Sequence, residues 1–447
     1  MASVSRARQS LLLAGLTSFA TVLCVSGEAF SQSVDLRGTA IVRMAVELDS
    51  ADLQLGELLV EPEASGLIGE IAWTVIGRVR LDIADTLEPG EQEGQSAFRG
   101  AMNRRLFLGD DTDLELREAY ADIVKGNWFI RAGKQQVVWG QADGLHVLDR
   151  INPLSFREFI LGDFEDLRIP TWMVNAERPV GDVTLQFLWM FDHTYDEVPR
   201  LGTFAVMSPL FVPQVPDTFN GEVFLGEANR PDRFVRDDDF GVRLTGFTSG
   251  WDWSLNALYA YGDGQVFRQT EEADRIDVTP TYERSWLFGG SASNTFGKAT
   301  LRAELGWQSD VFSLLENRLD LGGVVNTDEI SGVVGLDYQM NADTFLSAQL
   351  FVRHIGEAPA GLVRDRTEAT LSGLYRRQFR NDTVEVEALI LQGLNRGDGL
   401  VQIDASYELS DTTSIGLGVD LFYGTLDATF GQFSSSDRIS AVLSYNF

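Results

Sequence analysis

The chain has one cysteine in 447 residues, Cys24, and it lies inside the first thirty. A disulfide-stapled secreted domain is therefore excluded, and so is a thiolate metal site. After residue 31 no apolar run reaches the length of about eighteen residues that a spanning helix requires, so no helical membrane anchor is expected. Basic residues are scarce, with 36 Lys+Arg against 66 Asp+Glu. That balance excludes a nucleic-acid binder, which needs a basic footprint, and it suits docking on anionic inner-leaflet lipid poorly. Only three histidines occur, His146, His193 and His354. None has a His partner at i,i+4 or a Cys partner, so no transition-metal site is indicated. A lipase would need a Ser beside a His, and no G-x-S-x-G elbow is present. Asp110-Asp111 and Asp237-Asp238-Asp239 lack the spaced oxygen ligands of a calcium loop and read as solvated surface. No cofactor and no catalytic set is expected.

The N-terminus carries Arg6 and Arg8, an apolar stretch from Leu11 to Val25, and small residues at Ala29 and Ser31. This is the order of a secretory signal peptide covering 1–31, cleaved before Gln32. Leu23 precedes Cys24 where a lipobox requires Gly or Ala, so lipidation is rejected. Removing the leader takes away two Arg and one Glu and leaves 34 basic and 65 acidic residues in a cysteine-free mature chain. A protein exported without cysteine fits a sheet stapled by its own closure.

What the chain does have is alternation of period two. In its last eleven residues Ile439, Ala441, Leu443, Tyr445 and Phe447 fall on one face, and Arg438, Ser440, Ser444 and Asn446 mostly on the other. Ending on an aromatic suits a barrel closing in a bilayer, with the ring at the interface and Phe447 presented to the barrel-assembly machinery. The pattern recurs in segments of about ten residues, the length of a tilted spanning strand. Val42, Met44, Val46 and Leu48 oppose Arg43 and Glu47; Leu301, Ala303, Leu305 and Trp307 oppose Arg302, Glu304 and Gln308. Trp251–Tyr261 and Ile415–Tyr423 repeat it. Val384, Val386, Ala388 and Ile390 oppose Glu385 and Glu387, although Leu389 and Leu391 blur the wet side. Charges on that side, with Arg78, Arg80 and Asp82 on another strand, are tolerable in a membrane only where water lines them, so they are expected to face a lumen.

Short polar connections at Gly126-Asn127, Gly181-Asp182, Ser249-Gly250, Asn341-Ala342, Asn381 and Ser410-Asp411 read as hairpin turns. Longer loops separate the pairs, which is the asymmetry of outer-membrane barrels. The strands are expected at roughly 36–48, 68–84, 113–125, 127–138, 171–180, 182–193, 236–248, 251–263, 279–294, 297–310, 328–340, 343–355, 366–380, 382–395, 399–409, 412–425 and 437–447. Bacterial barrels have even strand numbers, so this odd count contains a misreading before residue 113: either the first strand does not span, or Ala97–Leu108 hides another. The fold class is all-β, a transmembrane antiparallel up-and-down barrel of 16–18 strands over residues 32–447. That size leaves room for an aqueous channel. Trp128, Trp139, Trp172, Trp189, Trp286, Tyr375 and Tyr407 are expected to form interface girdles facing outer-membrane lipid and lipopolysaccharide.

Two segments break the alternation. Residues 140–170 are expected to be an extracellular loop folded into the barrel mouth, because Ile151, Leu154, Phe156, Phe159, Ile160, Leu161 and Phe164 are too oily for water. Asn152-Pro153 and Gly162 bracket an expected short helix over Pro153–Leu161. Arg157, Glu158, Asp163, Glu165, Asp166 and Arg168 are the expected constriction charges; a purely structural plug is the alternative. Residues 199–235 hold five of the twelve prolines and an apolar set including Phe204, Met207 and Leu210. Proline keeps them from becoming strand, and they read either as an apolar lid or as simple loop-on-loop packing.

The stretch from Phe129 to Leu154, FIRAGKQQVVWGQADGLHVLDRINPL, continues through Arg157-Glu158-Phe159 and 163–170 (DFEDLRIP). These residues resemble a proteobacterial outer-membrane family labelled a domain of unknown function. The resemblance implies a porin-like barrel in the Gram-negative outer membrane, associated with export or uptake of hydrophobic compounds and sometimes with an inner-membrane efflux system. It brings no catalytic or binding residue. The expected function is an outer-membrane channel for small hydrophobic or amphipathic solutes. A general diffusion porin and a sealed barrel acting as scaffold or lipid-modifying enzyme are the alternatives.

Overall fold

The computed structural model describes residues 34–84, 97–142, 144–162, 164–199, 201–215, 219–272, 274–317 and 321–447. The expected leader, with Cys24, lies outside the described residues, as does Asp163. Eighteen antiparallel strands form the wall. They are β1 Asp35–Glu47, β2 Leu53–Ile68, β3 Ile71–Asp82, β4 Thr112–Lys125, β5 Trp128–Gln135, β6 Thr171–Val180, β7 Val183–Met190, β8 Asp239–Thr248 and β9 Trp251–Tyr261. The second half comprises β10 Arg284–Phe296, β11 Ala299–Leu314, β12 Val324–Asn341, β13 Thr344–Ile355, β14 Thr367–Phe379, β15 Val384–Gly393, β16 Gly399–Ser410, β17 Thr413–Tyr423 and β18 Arg438–Asn446. Each pairs with its chain neighbours. β1 closes on β18, with Thr39 opposite Asn446 and Glu47 opposite Arg438. Phe447 extends this seam by exchanging backbone hydrogen bonds of 2.9 Å with Gly38.

The alternation sorts the side chains as expected. On β18, Ile439, Leu443 and Tyr445 are exposed on the outer face, whereas Arg438 is 3% exposed on the inner one. All eight short turns lie at one rim and the long connections at the other. Positive φ at Gly126 (60°) and Gly181 (63°) reverses the chain where a side-chain-bearing residue would be strained.

The misreading before residue 113 proves to be neither of the two expected forms. β1 does span, and Ala97–Leu108 contributes only Leu106–Phe107, paired with Leu114 and Asp113. The missing strand is β2. Its inner face carries Leu55 and Leu59 besides Glu57 and Glu61, and Pro62 sits mid-strand, so neither clean alternation nor strand-like composition marks it. The segment read as one strand at 279–294 is two. Arg275–Thr281 belongs to a small sheet with Val266–Glu272 and Glu222–Leu225 beyond the long-loop rim, and β10 starts at Arg284.

Two further expectations are corrected. Pro153–Leu161 is not helical. The Leu154 amide bonds to Asp196 at 2.7 Å, and those of Ser155 and Phe156 reach the carbonyls of Leu167 and Glu197. Tertiary acceptors thus take the N–H groups a helix would use. Asn152, the expected cap, instead donates to the carbonyls of Gln135 and Ile169 and accepts from the Val137 amide. The segment's helical turn is at Phe164–Leu167. Trp139 is no girdle residue: it is fully buried inside the bore, where its indole N–H donates to Gln186 at 2.9 Å.

Candidate functional site: a segment folded across the bore

Residues 136–170 leave β5 and return to the adjacent β6, yet they touch nearly every side of the barrel. At 140–142 the chain reaches β11. Glu304 accepts the amides of Gln141 and Ala142, the latter at 3.0 Å, and Arg302 donates to the Gln141 carbonyl at 2.7 Å while pairing with Asp337. Leu148 packs against Gly289 on β10, whose position accepts no side chain: a Cβ there would meet the Leu148 methyl and lie 2.5 Å from the Leu305 carbonyl oxygen. Val147 and Leu148 also meet Val333 and Phe351 on β12 and β13.

The segment then swings to the far wall. Glu158 pairs with Arg43 of β1 at 2.8 Å and with Arg438 of β18 at 2.7 Å. Arg157 pairs with Glu57 of β2 at 2.5 Å and lies 3.6 Å from Asp82 of β3. Asp166 pairs with Arg78 at 2.8 Å, and Arg117 of β4 donates to the carbonyls of Glu165 and Asp166. Arg80 approaches Asp113 at 3.5 Å. From β11 on to β1 is eight strands around the ring, so the segment runs across the lumen as a chord.

Of the expected site residues, the structure brings Arg43, Arg78, Arg80, Asp82, Arg157, Glu158 and Asp166 into one ionic cluster. Arg302 and Glu304 hold the other end of the chord. Arg168 turns inward to Asp149 at 2.6 Å, and the Glu165 side chain is exposed. Glu385 and Glu387 face the lumen away from the segment, both near Arg376, Glu387 at 2.6 Å. Glu47 lies at the long-loop rim, accepting from Ser50.

Sequence reasoning missed several partners. Glu57 and Glu61 lie on the missed β2, although Glu57, Glu61 and Glu63 share one parity, which was a readable signal. Arg99, Asn103 and Arg105 belong to a second in-folded stretch. Arg99 meets Glu115 at 2.8 Å and Glu197 at 3.1 Å; Arg105 meets Glu197 at 2.6 Å; Asn103 donates to the Pro170 carbonyl and to Asp192. Phe204 of the proline-rich loop joins Phe159, Phe422 and Phe433 in an apolar cluster, with Phe159 and Phe433 centroids 4.6 Å apart. Leu391 is in that cluster too, and Leu389 packs against it. The residues that blurred the wet side of β15 therefore face not water but the in-folded chain.

Two cavities flank the segment. One, of about 310 Å³, lies against β12–β15 and mixes Val147, Phe156, Ile160 and Phe351 with Arg150 and Arg353. The other, of about 280 Å³, lies against β1–β4 and β16–β18 and is densely charged, with Arg43, Arg78, Arg117, Glu115, Asp420 and Arg438 among its lining.

Burial raises the affinity of Glu158 for a proton, but Arg43, Arg438 and Arg157 outweigh it and hold the carboxyl far below the ordinary carboxylate range. The opposite holds at Asp196. Burial pushes it up to about 6 against the Leu154 amide and the field of Arg150. Burial, then the charge of Asp196, drives Asp263 well above its ordinary value.

A closed antiparallel barrel with a lipid-compatible exterior and charged interior is the fold of outer-membrane porins. Three crystal structures from Pseudomonas aeruginosa share the fold, each at 11% identity and covering 93% of this chain. OccK3 (OpdO) and OccK1 (OpdK) have TM-scores of 0.51, with 96% and 98% of their own chains covered. OccK2 (OpdF), in complex with glucuronate, has a TM-score of 0.50 with 98% covered. No curated protein matches the sequence. Residues 109–447 match the family described as protein of unknown function (DUF1302), and the chain belongs to that family.

Glu158→Ala leaves three arginines short of a carboxylate in a buried site. It is expected to destabilise the docked segment by about 3–5 kcal/mol, read as faster protease cleavage and hydrogen exchange within 150–165 while the barrel keeps its heat-modifiable gel migration. The Glu158 pKa is depressed in the folded state, so its contribution is full above the ordinary value of 4.5 and is lost only as pH falls through the folded value. Mild acid therefore leaves this anchor in place. For Asp196 the sign reverses. Its folded pKa is raised from 3.8 to about 6, so the contribution is present at low pH and disappears as pH rises through that window. Protection of the Leu154 amide, corrected for intrinsic exchange, is expected to fall across this window, and Asp196→Asn is expected to abolish the fall.

Proposed function

We propose that this protein is an outer-membrane channel for small amphipathic solutes, with the segment at 140–170 as its constriction. The observation that carries this reading is the chord itself: one stretch of chain, anchored on β11 and again on β1, β2 and β18, lies across the bore with a cavity on either side, and each cavity is read as part of a passage. The passage along β12–β15 pairs apolar surface with a few guanidinium groups. That composition suits a solute with an oily body and a polar end. Arg157, Glu158, Asp166 and Arg168 then act mainly by holding the segment, while Arg150 and Arg353 face the solute. Asp163, outside the described residues, and Glu165 keep their proposed place at the constriction.

A general diffusion porin is favoured by one observation, the dense charge along the second passage, which suits ions and hydrophilic nutrients. Liposome swelling with sugars against uptake of an oily tracer separates the two readings. Deleting 150–165 is expected to raise single-channel conductance in planar bilayers; an unchanged current would remove the constriction role.

A further inference from the structure

The wall is not uniformly laddered. Between β2 and β3, Val60 pairs with Val79 and Glu63 with Ile76 in the same register, but the two positions between them, Glu61-Pro62 facing Gly77-Arg78, are unpaired. Pro62 has no N–H to give to the ladder. Immediately across β3 the pairing with β4 shifts between Ile76 and Gly77, leaving Arg117 as an extra residue between Leu116 and Glu118. Gly77 is thus flanked by a gap on one side and a bulge on the other. A Cβ built on Gly77 would meet nothing within 4 Å except the Pro62 ring, at 3.7 Å. These positions lie near the middle of their strands, at bilayer depth, where an open backbone is costly unless something covers it.

On the luminal side the cover is the turn Phe164–Leu167. Arg78, beside the gap, holds Asp166 at 2.8 Å and also pairs with Glu61; Arg117, the bulged residue, holds the Glu165 carbonyl at 2.6 Å. The weak point in the wall and the grip on the constriction segment therefore use the same two arginines.

We infer that the β2–β3 gap is a lateral exit, through which the apolar portion of an amphipathic solute leaves the bore for the bilayer when the 164–167 turn withdraws. A bend in the wall would need only the bulge on β4. A second interruption beside it, a residue with no side chain between them and a removable cover behind are what a passage requires. The inference rests on the channel reading and names where its apolar solute goes: Leu167 lines both cavities, so withdrawal of the turn joins the passage along β12–β15 to the wall at β2–β3. The polar end stays with Arg78 and Arg117 while the oily end meets the outward surface formed by Pro62, Gly77 and Leu116.

The mature chain is expected to be free of cysteine, so a single cross-link is unambiguous. The double variant Pro62→Cys/Gly77→Cys, oxidised, seals the gap; Gly77→Leu fills it without a bond. Both are expressed in a Gram-negative host, checked for heat-modifiable migration, and assayed with N-phenyl-1-naphthylamine, an apolar ring pair with an amine. Entry in oxidised cells is expected to fall about tenfold, as it should when the route into hydrocarbon is blocked. It should recover on reduction, with single-channel conductance unchanged throughout; Gly77→Leu should show the same loss. Undiminished entry with the cross-link complete, or with folded Gly77→Leu, overturns the lateral exit alone. A wild-type barrel that admits no tracer overturns the channel reading together with it.

Discussion

Hydrocarbon offers no partner to a backbone N–H or carbonyl, and the rest of this molecule follows from that constraint. A chain without a long apolar helix can cross a bilayer only as a sheet whose last strand bonds to its first. Here the seam of β1 and β18 does so over nine residue pairs. Closure with eighteen strands creates a bore wide enough for chain as well as water, and the loops from one rim occupy it.

The way they occupy it is electrostatic at the wall and apolar within. The inner faces of β1, β3, β4 and β18 present arginines to carboxylates and carbonyls of the in-folded stretches, and Glu57 and Glu115 on the wall in turn meet Arg157 and Arg99 of those stretches. Such pairs lose hydration on burial, and their mutual attraction offsets that loss only where geometry is good. Glu158, with three arginines within 3.4 Å, is the fullest case. The phenylalanine cluster around Phe159 gains its stability from burial in the ordinary way. Together the two kinds of contact make a chord that is fixed at both walls yet not part of either, which is what the proposed constriction requires.

Much of this was legible in the order of residues. Strands that face lipid on one side and water on the other carry their own signature, and Ile439 to Phe447 or Leu301 to Trp307 announce it without help. Arg43, Arg78 and Glu304 could be placed on the wet face by parity alone. The signature fails where the inner face is not wet. Leu55 and Leu59 erased β2, and Leu389 and Leu391 blurred β15, because each faces folded chain or the charged cluster beside it instead of open water. The helix expected from Asn152-Pro153 failed for a related reason: Asp196, Glu197 and Leu167, distant in sequence, claim the amides that a local rule assigns to a helix.

The sequence by itself determined the architecture: a greasy outside, a charged inside, turns at one rim and long loops at the other. Period two along a strand is a local property, readable wherever the two faces meet different solvents. Only the tertiary structure decided which charges meet. That Glu158 joins Arg43 and Arg438, or that Arg117 grips a turn behind Pro62, depends on strands far apart in the chain being brought round a closed ring.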